Sequence, residues 1–393
     1  MPHKHFCKVS LLLVLSFGVG LAAAELIVRI WDKINREPAT AEKTIYNYLS
    51  FDKGGMFQIE PSVSGLHIGF DDRPILVKIN SLGFRGPELR KSPELRVVFV
   101  GDSIVFDGGV EQEETFESLI ESYFQKDGVD LEVVNSGAAD VGIDQYLIQM
   151  ERGRLRELKP QVIVIGLYLN DSRPPQGFLG EKVNDPFLKF IGLPGIKKLA
   201  LANLWKKAYI VSRTGLEKNL HQRFEWIEDF RSGIWFGDPL AFAEMVKKAR
   251  FDWGAAWEDS YDQTVFPAIL KIRDLAQGLG AKLVVVMFPV SMQVYARFNN
   301  SFLDLPQRNF AVYAEKNGIS FLDLLPRLRE RSREKLFADQ CHLNRRGNKA
   351  VAEIVYPFLA QELGYLSPGS KSGKKPGNKI TGSSALLISS PRT

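Results

Sequence analysis

A serine, a histidine and an aspartate stand in this sequence where they could act together. Ser103 lies in Val100-Gly101-Asp102-Ser103, at the end of an apolar run. Far downstream, Asp339-Gln340-Cys341-His342 sets an acid three residues ahead of a histidine, just before a strong helical pattern. A serine hydroxyl is a poor nucleophile until a base takes its proton, and imidazole has a suitable pKa near neutrality. The base in turn needs a carboxylate to fix its tautomer and stabilise its cation, and Asp339 can supply it from the same turn. A triad of this kind is defined by roles and geometry rather than by chain order. Ser103, His342 and Asp339 are therefore the candidate set for acyl chemistry at a serine.

Each residue also has an ordinary reading. Taken alone, Ser103 suits a helix N-cap, where its oxygen would accept an orphan amide. His342 alone suits a capping or surface histidine. The other histidines compete poorly: His3 and His5 precede an apolar segment, and His67 and His221 have no acid arranged as Asp339 is to His342. Position 105 is Val105, so the Gly-x-Ser-x-Gly elbow of the α/β-hydrolases is absent. Acyl chemistry also needs donors for a developing oxyanion. The amides of Ser103 and Gly137 and the side chain of Asn170 are the candidates, and loss of one such donor costs ~100–1000-fold in rate. Asn170 alternatively closes a strand with an Asx turn. Asp171 either orients Asn170 or is structural.

The elements around these residues alternate in type. Strands are expected at 96–100, 131–134, 162–169, 282–288 and 319–322, and helices at 115–124, 145–158, 261–279 and 345–363. Such alternation implies a parallel sheet covered on both faces, with its crevice outside the carboxyl ends of the strands. Ser103, Gly137 and Asn170 each follow a predicted strand end, so one edge of the sheet should gather them. Residues 38–94 read as a small extension of strands and turns, marked by Gly65, Gly69, Gly83 and Gly86. Residues 172–258 are too long for a plain connection and should form a helical cap. That cap holds Trp205, Trp226, Trp235, Trp253 and Trp257, five of the chain's six tryptophans. Most of these should pack the cap on the sheet; one or two facing the crevice would meet a sugar or an acyl group.

Taken together, these strings resemble the SGNH (GDSL-like) hydrolase family. Block one matches at Gly101-Asp102-Ser103 and block two at Gly137, within Asn135-Ser136-Gly137. Block three is similar at Asn170, with Leu169 as the departure from the Gly-x-Asn-Asp that the family often has, and block five matches as Asp339-x-x-His342. The likeness runs from about Arg96 to Leu363, the insertion excepted. More narrowly, the chain is similar to envelope-associated members with an N-terminal anchor and an Asn-x-x-Gly-Phe-Arg segment, here Asn80-Ser81-Leu82-Gly83-Phe84-Arg85. The resemblance implies a three-layer α/β/α, flavodoxin-like fold with a five-stranded parallel sheet over 95–366. It also implies no metal or other cofactor, and ester hydrolysis through an acyl-serine. Cys341 beside the histidine departs from the pattern: a small residue fits there, but a thiol can oxidise.

Composition sets the remaining bounds. The net charge of +5 resides in the tail 367–393, which holds Lys371, Lys374, Lys375, Lys379 and Arg392 and no acid. The rest is formally neutral, so no basic face marks a nucleic-acid binder, and the tail lacks the apolar content to fold. Cys7 and Cys341 are the only cysteines, so neither a disulfide framework nor a cysteine-based metal site is expected. Residues 1–37 begin with Lys4 and Lys8 and continue apolar from Val9 to Ala24, then Glu25 and Leu26-Ile27-Val28. This suits an uncleaved single-pass signal-anchor with the body extracytoplasmic or periplasmic, or a cleaved signal ending near Ala22-Ala23-Ala24 and a secreted product. The leading expectation is a membrane-anchored serine esterase acting on an O-acylated, notably O-acetylated, envelope carbohydrate. An O-acyltransferase with the same triad, and a catalytically silent binding or assembly protein on the same fold, are the alternatives.

Overall fold

In the computed structural model, which describes residues 2–34, 49–51, 56–68, 74–139, 141–173, 224–365 and scattered residues from 190 to 205, the apolar runs become strands. A long helix, α1 (Pro2–Ile34), comes first. Two antiparallel hairpins follow: β1 (Leu49–Phe51) with β2 (Phe57–Ile59), and β3 (Ser64–Ile68) with β4 (Pro74–Lys78). The α/β unit then runs β5 (Leu95–Gly101), α2 (Ser103–Phe106), α3 (Phe116–Lys126), β6 (Leu131–Gly137), α4 (Ile143–Arg152) and β7 (Val162–Leu167). The cap supplies α5 (Ile227–Ser232) and α6 (Pro239–Lys248). The chain closes with α7 (Asp259–Gly278), β8 (Lys282–Met287), α8 (Ser291–Tyr295), α9 (Leu305–Lys316), β9 (Ser320–Asp323), α10 (Leu325–Glu330) and α11 (Arg345–Glu362).

The sheet has five parallel strands in the order β6-β5-β7-β8-β9. On one side α3 packs against α11, and on the other α4 packs against α7. Right-handed crossovers demand this division, because the chain leaves β5 towards β6 and then reverses past it to β7. Covered on both faces, the central strands need no polar alternation. Val97, Val98, Phe99, Val100, Ile163, Val164 and Ile165 are accordingly fully buried. The order reverses beside β5, and the crevice outside the strand ends at such a point is where α/β sheets carry their sites.

One expectation is revised, one finds no support and one lies partly outside the described residues. The helix foreseen over 145–158 ends at Arg152, and a separate 3-10 turn covers Arg154–Leu158. Gly153 takes extended backbone between them. The membrane anchor finds no support: among the described residues, no helix is long and apolar enough to cross a membrane. Glu25 interrupts the apolar run of α1. Its carboxylate accepts from Arg29 Nε at 2.7 Å and from the Ala200 and Leu201 N–H groups at 2.9 Å, so it carries polar chemistry within the apolar run. The helical cap is only partly visible, since much of 174–223 and the whole tail 367–393 lie outside the described residues.

The extension is not an appendage. Asn80 Oδ1 accepts from the Leu82 and Phe84 N–H groups at 2.9 and 3.1 Å, which folds Asn80–Arg85 into a tight turn. Gly83 has φ +86°, and a Cβ there would lie 2.9 Å from the Ile59 carbonyl oxygen, so glycine is required twice over. The turn buries Phe84 and bridges Arg85 antiparallel to Asn135 on β6. Arg85 is thereby driven into the interior, behind α2.

Candidate active site

The nucleophile turn is built by close approach. β5 ends at Gly101, where a Cβ would sit 2.2 Å from Val105 Cγ2. Glycine there lets α2 settle directly on the strand ends. Asp102 caps the helix, accepting the Ile104 N–H at 2.9 Å on Oδ1. The capping role considered for Ser103 therefore belongs to Asp102, and the Ser103 hydroxyl is released for other partners. The Ser103 N–H heads the same turn, where helical bonding leaves donors unsatisfied.

Arg85 closes the other end of this turn. Its Nη1 donates to the Phe106 carbonyl at 2.6 Å and also to that of Asp107, while Nη2 donates to Val110 O at 2.7 Å. A cation at a helix C-terminus satisfies carbonyls that the helix cannot. Two buried acids lie alongside. Burial pushes the Asp107 carboxyl up to about 8, partly offset by the Arg85 charge. Burial, and then the charge of Asp107, hold Glu117 well above the ordinary carboxylate range. Asn135 Nδ2 ties the group together, donating to Val105 O at 2.5 Å and Glu117 Oε1 at 3.1 Å.

The histidine arrives on a loop anchored at both ends. Asn344 caps α11 by accepting the Arg346 and Gly347 N–H groups at 2.9 and 3.1 Å, and its Nδ2 donates to Lys335 O at 2.9 Å. Phe337 bridges Leu343, and the Ala338 N–H donates to His342 O at 2.9 Å. The Ser291 N–H, after β8, holds the Gln340 carbonyl at 2.8 Å. Within this loop Asp339 Oδ1 accepts from the Cys341 and His342 N–H groups at 2.8 and 2.7 Å. Its second oxygen is then free to meet the imidazole.

The three expected residues converge. His342 Nε2 lies 3.0 Å from Ser103 Oγ, and His342 Nδ1 lies 2.7 Å from Asp339 Oδ2. Nδ1–H donating to the carboxylate leaves the Nε2 lone pair facing the hydroxyl, the tautomer a general base needs. Burial disfavours the imidazolium, but the Cys341 sulfur and the Asp339 carboxylate beside it outweigh that and raise the His342 pKa well above the ordinary value. For Asp339, burial acts upward, and the hydrogen bond and charge of His342 with the two backbone N–H groups bring it below the usual range. Burial pushes the Cys341 thiol up to about 11, with the neighbouring His342 charge drawing it back.

The oxyanion candidates divide. The Gly137 N–H donates to Asn135 Oδ1 at 3.0 Å, and a Cβ on Gly137 would meet Phe106 N at 2.3 Å. Its amide is engaged at the end of β6, and the glycine serves the packing of α2. Asn170 is half-buried in the turn after β7, and its Nδ2 donates to Asp252 Oδ1 at 3.4 Å. Asp252, from the cap, had no signal in the sequence, being far from Asn170 along the chain and outside any motif. Asp171 is structural. It accepts the Tyr168 N–H and the Tyr146 hydroxyl, both at 2.9 Å, while Tyr261 donates to Tyr168 O at 3.0 Å. It orients Asn170 only by closing the turn that carries it. Burial and the neighbouring Asp102 charge keep the Asp171 carboxyl well above its ordinary pKa.

The cap tryptophans also divide. Trp226 and Trp253 are fully buried and meet edge to face at 5.7 Å, as packing requires. Trp235, stacked on Phe230 at 6.0 Å, lines a cleft of about 450 Å³ with Tyr295, Arg333, Phe337 and Asp339. Trp205 is exposed.

No family model and no curated protein matches the chain. Among solved structures it is similar to an acetyl xylan esterase, AlAXEase, at 14% identity and a TM-score of 0.39, over 67% of this chain and 100% of that one. TesA is similar at 14% identity and a TM-score of 0.36, over 68% and 98% of the two chains. The psychrotrophic esterase EstA from Pseudoalteromonas sp. follows at 12% and 0.37, over 68% and 98%. The likeness is too distant to carry chemistry, which has to come from the residues themselves.

Proposed function

We propose that this protein is a serine esterase of the SGNH type that hydrolyses O-acyl, foremost O-acetyl, esters of an envelope carbohydrate. The observation that carries the reading is the unbroken line Ser103 Oγ, His342 Nε2, His342 Nδ1, Asp339 Oδ2, at 3.0 and 2.7 Å. His342 Nε2 takes the Ser103 proton as Oγ attacks the ester carbonyl carbon. The tetrahedral oxyanion is met by the Ser103 N–H and Asn170 Nδ2. Collapse expels the sugar alkoxide, which takes the proton back from Nε2–H. Water, deprotonated by the same nitrogen, then attacks the acyl-serine carbonyl; the bond to Oγ breaks, the acid leaves, and Nε2–H returns its proton to Ser103 Oγ. Asp339 remains ionised throughout, holding the tautomer and stabilising the imidazolium.

The cleft beside Asp339, which Trp235 and Tyr295 line together with polar and charged residues, favours a sugar-bearing substrate. It also favours a second reading, in which a sugar hydroxyl bound there replaces water and the enzyme transfers the acyl group. An extracytoplasmic location belongs to the same proposal, supported by the basic and then apolar N-terminus. The test is fluorophosphonate labelling at Ser103, followed by acetyl-ester turnover with and without a sugar acceptor. Labelling that persists in Ser103→Ala refutes the esterase reading. An acetylated acceptor as the main product selects transfer over hydrolysis.

A further inference from the structure

The loop that presents His342 carries a second set of ligands. One ligand atom from each of Asp339, Cys341 and His342 lies within 4.8 Å of the other two, and His342 Nδ1 is 3.4 Å from Cys341 Sγ and 2.7 Å from Asp339 Oδ2. We propose that these three atoms form an inhibitory site for a single thiophilic divalent cation, with zinc and cadmium as the ions of choice. A carboxylate, a thiolate and an imidazole are the donors such ions select, and three protein ligands plus water complete a tetrahedron.

The spacing fits. Zinc bonds of ~2.3 Å to sulfur and ~2.0 Å to nitrogen at a tetrahedral angle separate the two ligands by about 3.5 Å. Cys341 Sγ and His342 Nδ1 are 3.4 Å apart. Only the carboxylate has to yield, because His342 Nδ1 and Asp339 Oδ2 at 2.7 Å are at hydrogen-bond distance. Oδ1 is pinned by two backbone N–H groups, so a small rotation about it opens the gap on the Oδ2 side. The ligands span four residues of an anchored loop, so little chain entropy is lost on binding. Access comes from the solvent side, where the Asp339 and His342 side chains are 37% and 26% exposed and Asp339 lines the aromatic cleft.

Occupation would silence the base. The ion takes the Nδ1 lone pair, so the Nδ1 proton leaves to solvent and one proton returns to Nε2. The Cys341 thiol loses its proton as the metal–sulfur bond forms, and the net change is one ion bound and one proton released. Nε2 then bears hydrogen towards Ser103 and has no lone pair to accept the hydroxyl proton, while Asp339 no longer orients the ring. The inhibition rests on the esterase reading; the binding does not.

The experiment therefore has two arms on the full-length protein. In the first, the Ser103→Ala variant is titrated with cadmium and followed by the thiolate-to-metal absorption band in the ultraviolet. One equivalent should bind with that band, and Cys341→Ala and His342→Ala added to this background should each weaken binding by ~100-fold or more. In the second, zinc is added to the unsubstituted enzyme during ester hydrolysis. The rate should fall at least ~10-fold at saturation, and Cys341→Ser should raise the inhibitory concentration by ~100-fold relative to that variant's own metal-free rate. Melting curves of both Cys341 variants verify that they fold. A cadmium band that survives Cys341→Ala, no binding by Ser103→Ala, or equal zinc inhibition of the Cys341→Ser enzyme overturns the site. Binding without any loss of rate overturns the inhibition.

Discussion

The Asn170 side-chain amide donates to Asp252 Oδ1 at 3.4 Å, joining the turn after β7 to the cap. Asp252 is buried, so the carboxylate acts as a fixed acceptor that sets the rotation of the amide. Asn170→Ala should lower kcat by ~100-fold or more with KM nearly unchanged, because the lost hydrogen bond strengthens only as the oxyanion forms. Asp252→Ala should cost less, ~10–100-fold, by loosening the amide without removing it. The double variant should be no slower than Asn170→Ala alone. Steady-state kinetics of the three variants check this, and additive losses would separate the two residues.

Ser103 and His342 should behave as one unit. Ser103→Ala, His342→Ala and the double variant should lose similar amounts of activity, since removing either member disables the other. Asp339→Asn should bind substrate normally but turn it over ~10⁴-fold more slowly, because an amide favours the wrong imidazole tautomer. Binding measured on the inert variants and kcat on Asp339→Asn distinguish these effects.

The raised His342 pKa fixes the direction of the pH profile. The base works only as neutral imidazole, so kcat/KM should be low in acid and rise through the His342 pKa. That midpoint should lie above the ordinary imidazole value of 6.5. In Asp339→Asn the carboxylate partner of the imidazolium is gone, and the midpoint should move down. A midpoint unmoved by that substitution would place the titration elsewhere.

Asp107 and Glu117 should give the protein an unusual pH dependence of stability. Their folded pKa values lie above the unfolded ones, so the native state binds more protons between them, and stability falls as pH rises through that window. For Asp107 the window runs from 3.8 to about 8. Each such group contributes a slope of about 1.4 kcal/mol per pH unit inside its window. Asp107→Asn should flatten the decline, as read from denaturant unfolding at a series of pH values.

Much of this architecture is legible from residue order. The strands at 96–100 and 131–134 and the helices at 261–279 and 345–363 follow from periodicity, because a parallel sheet covered on both faces leaves uninterrupted apolar runs. Ser103, Asp339 and His342 are legible because their types and turn positions suit one chemistry. Gly137 is half legible. A glycine is needed where α2 lies against β6, but that its amide would turn to Asn135 depends on side-chain geometry that spacing does not encode. Asp252 was invisible, since nothing local distinguishes it from other acids of the cap. The apolar N-terminus suggests a span that finds no support among the described residues, and the Glu25 carboxylate within it bonds Arg29 and two backbone amides of the cap.

The Arg85 clamp also orders events in time. Arg85 reaches Phe106 across 21 positions, whereas His342 reaches Ser103 across 239. A short loop closes at lower entropic cost than a long one, and the chain emerges from its N-terminal side during synthesis. The nucleophile turn can thus take shape early, while the base that activates it is made 239 positions later. An incomplete chain would carry the serine without the base that activates it. A chain ended ahead of Asp339 should accordingly be inert to fluorophosphonate, and a truncated product that labels at the full-length rate would contradict this ordering.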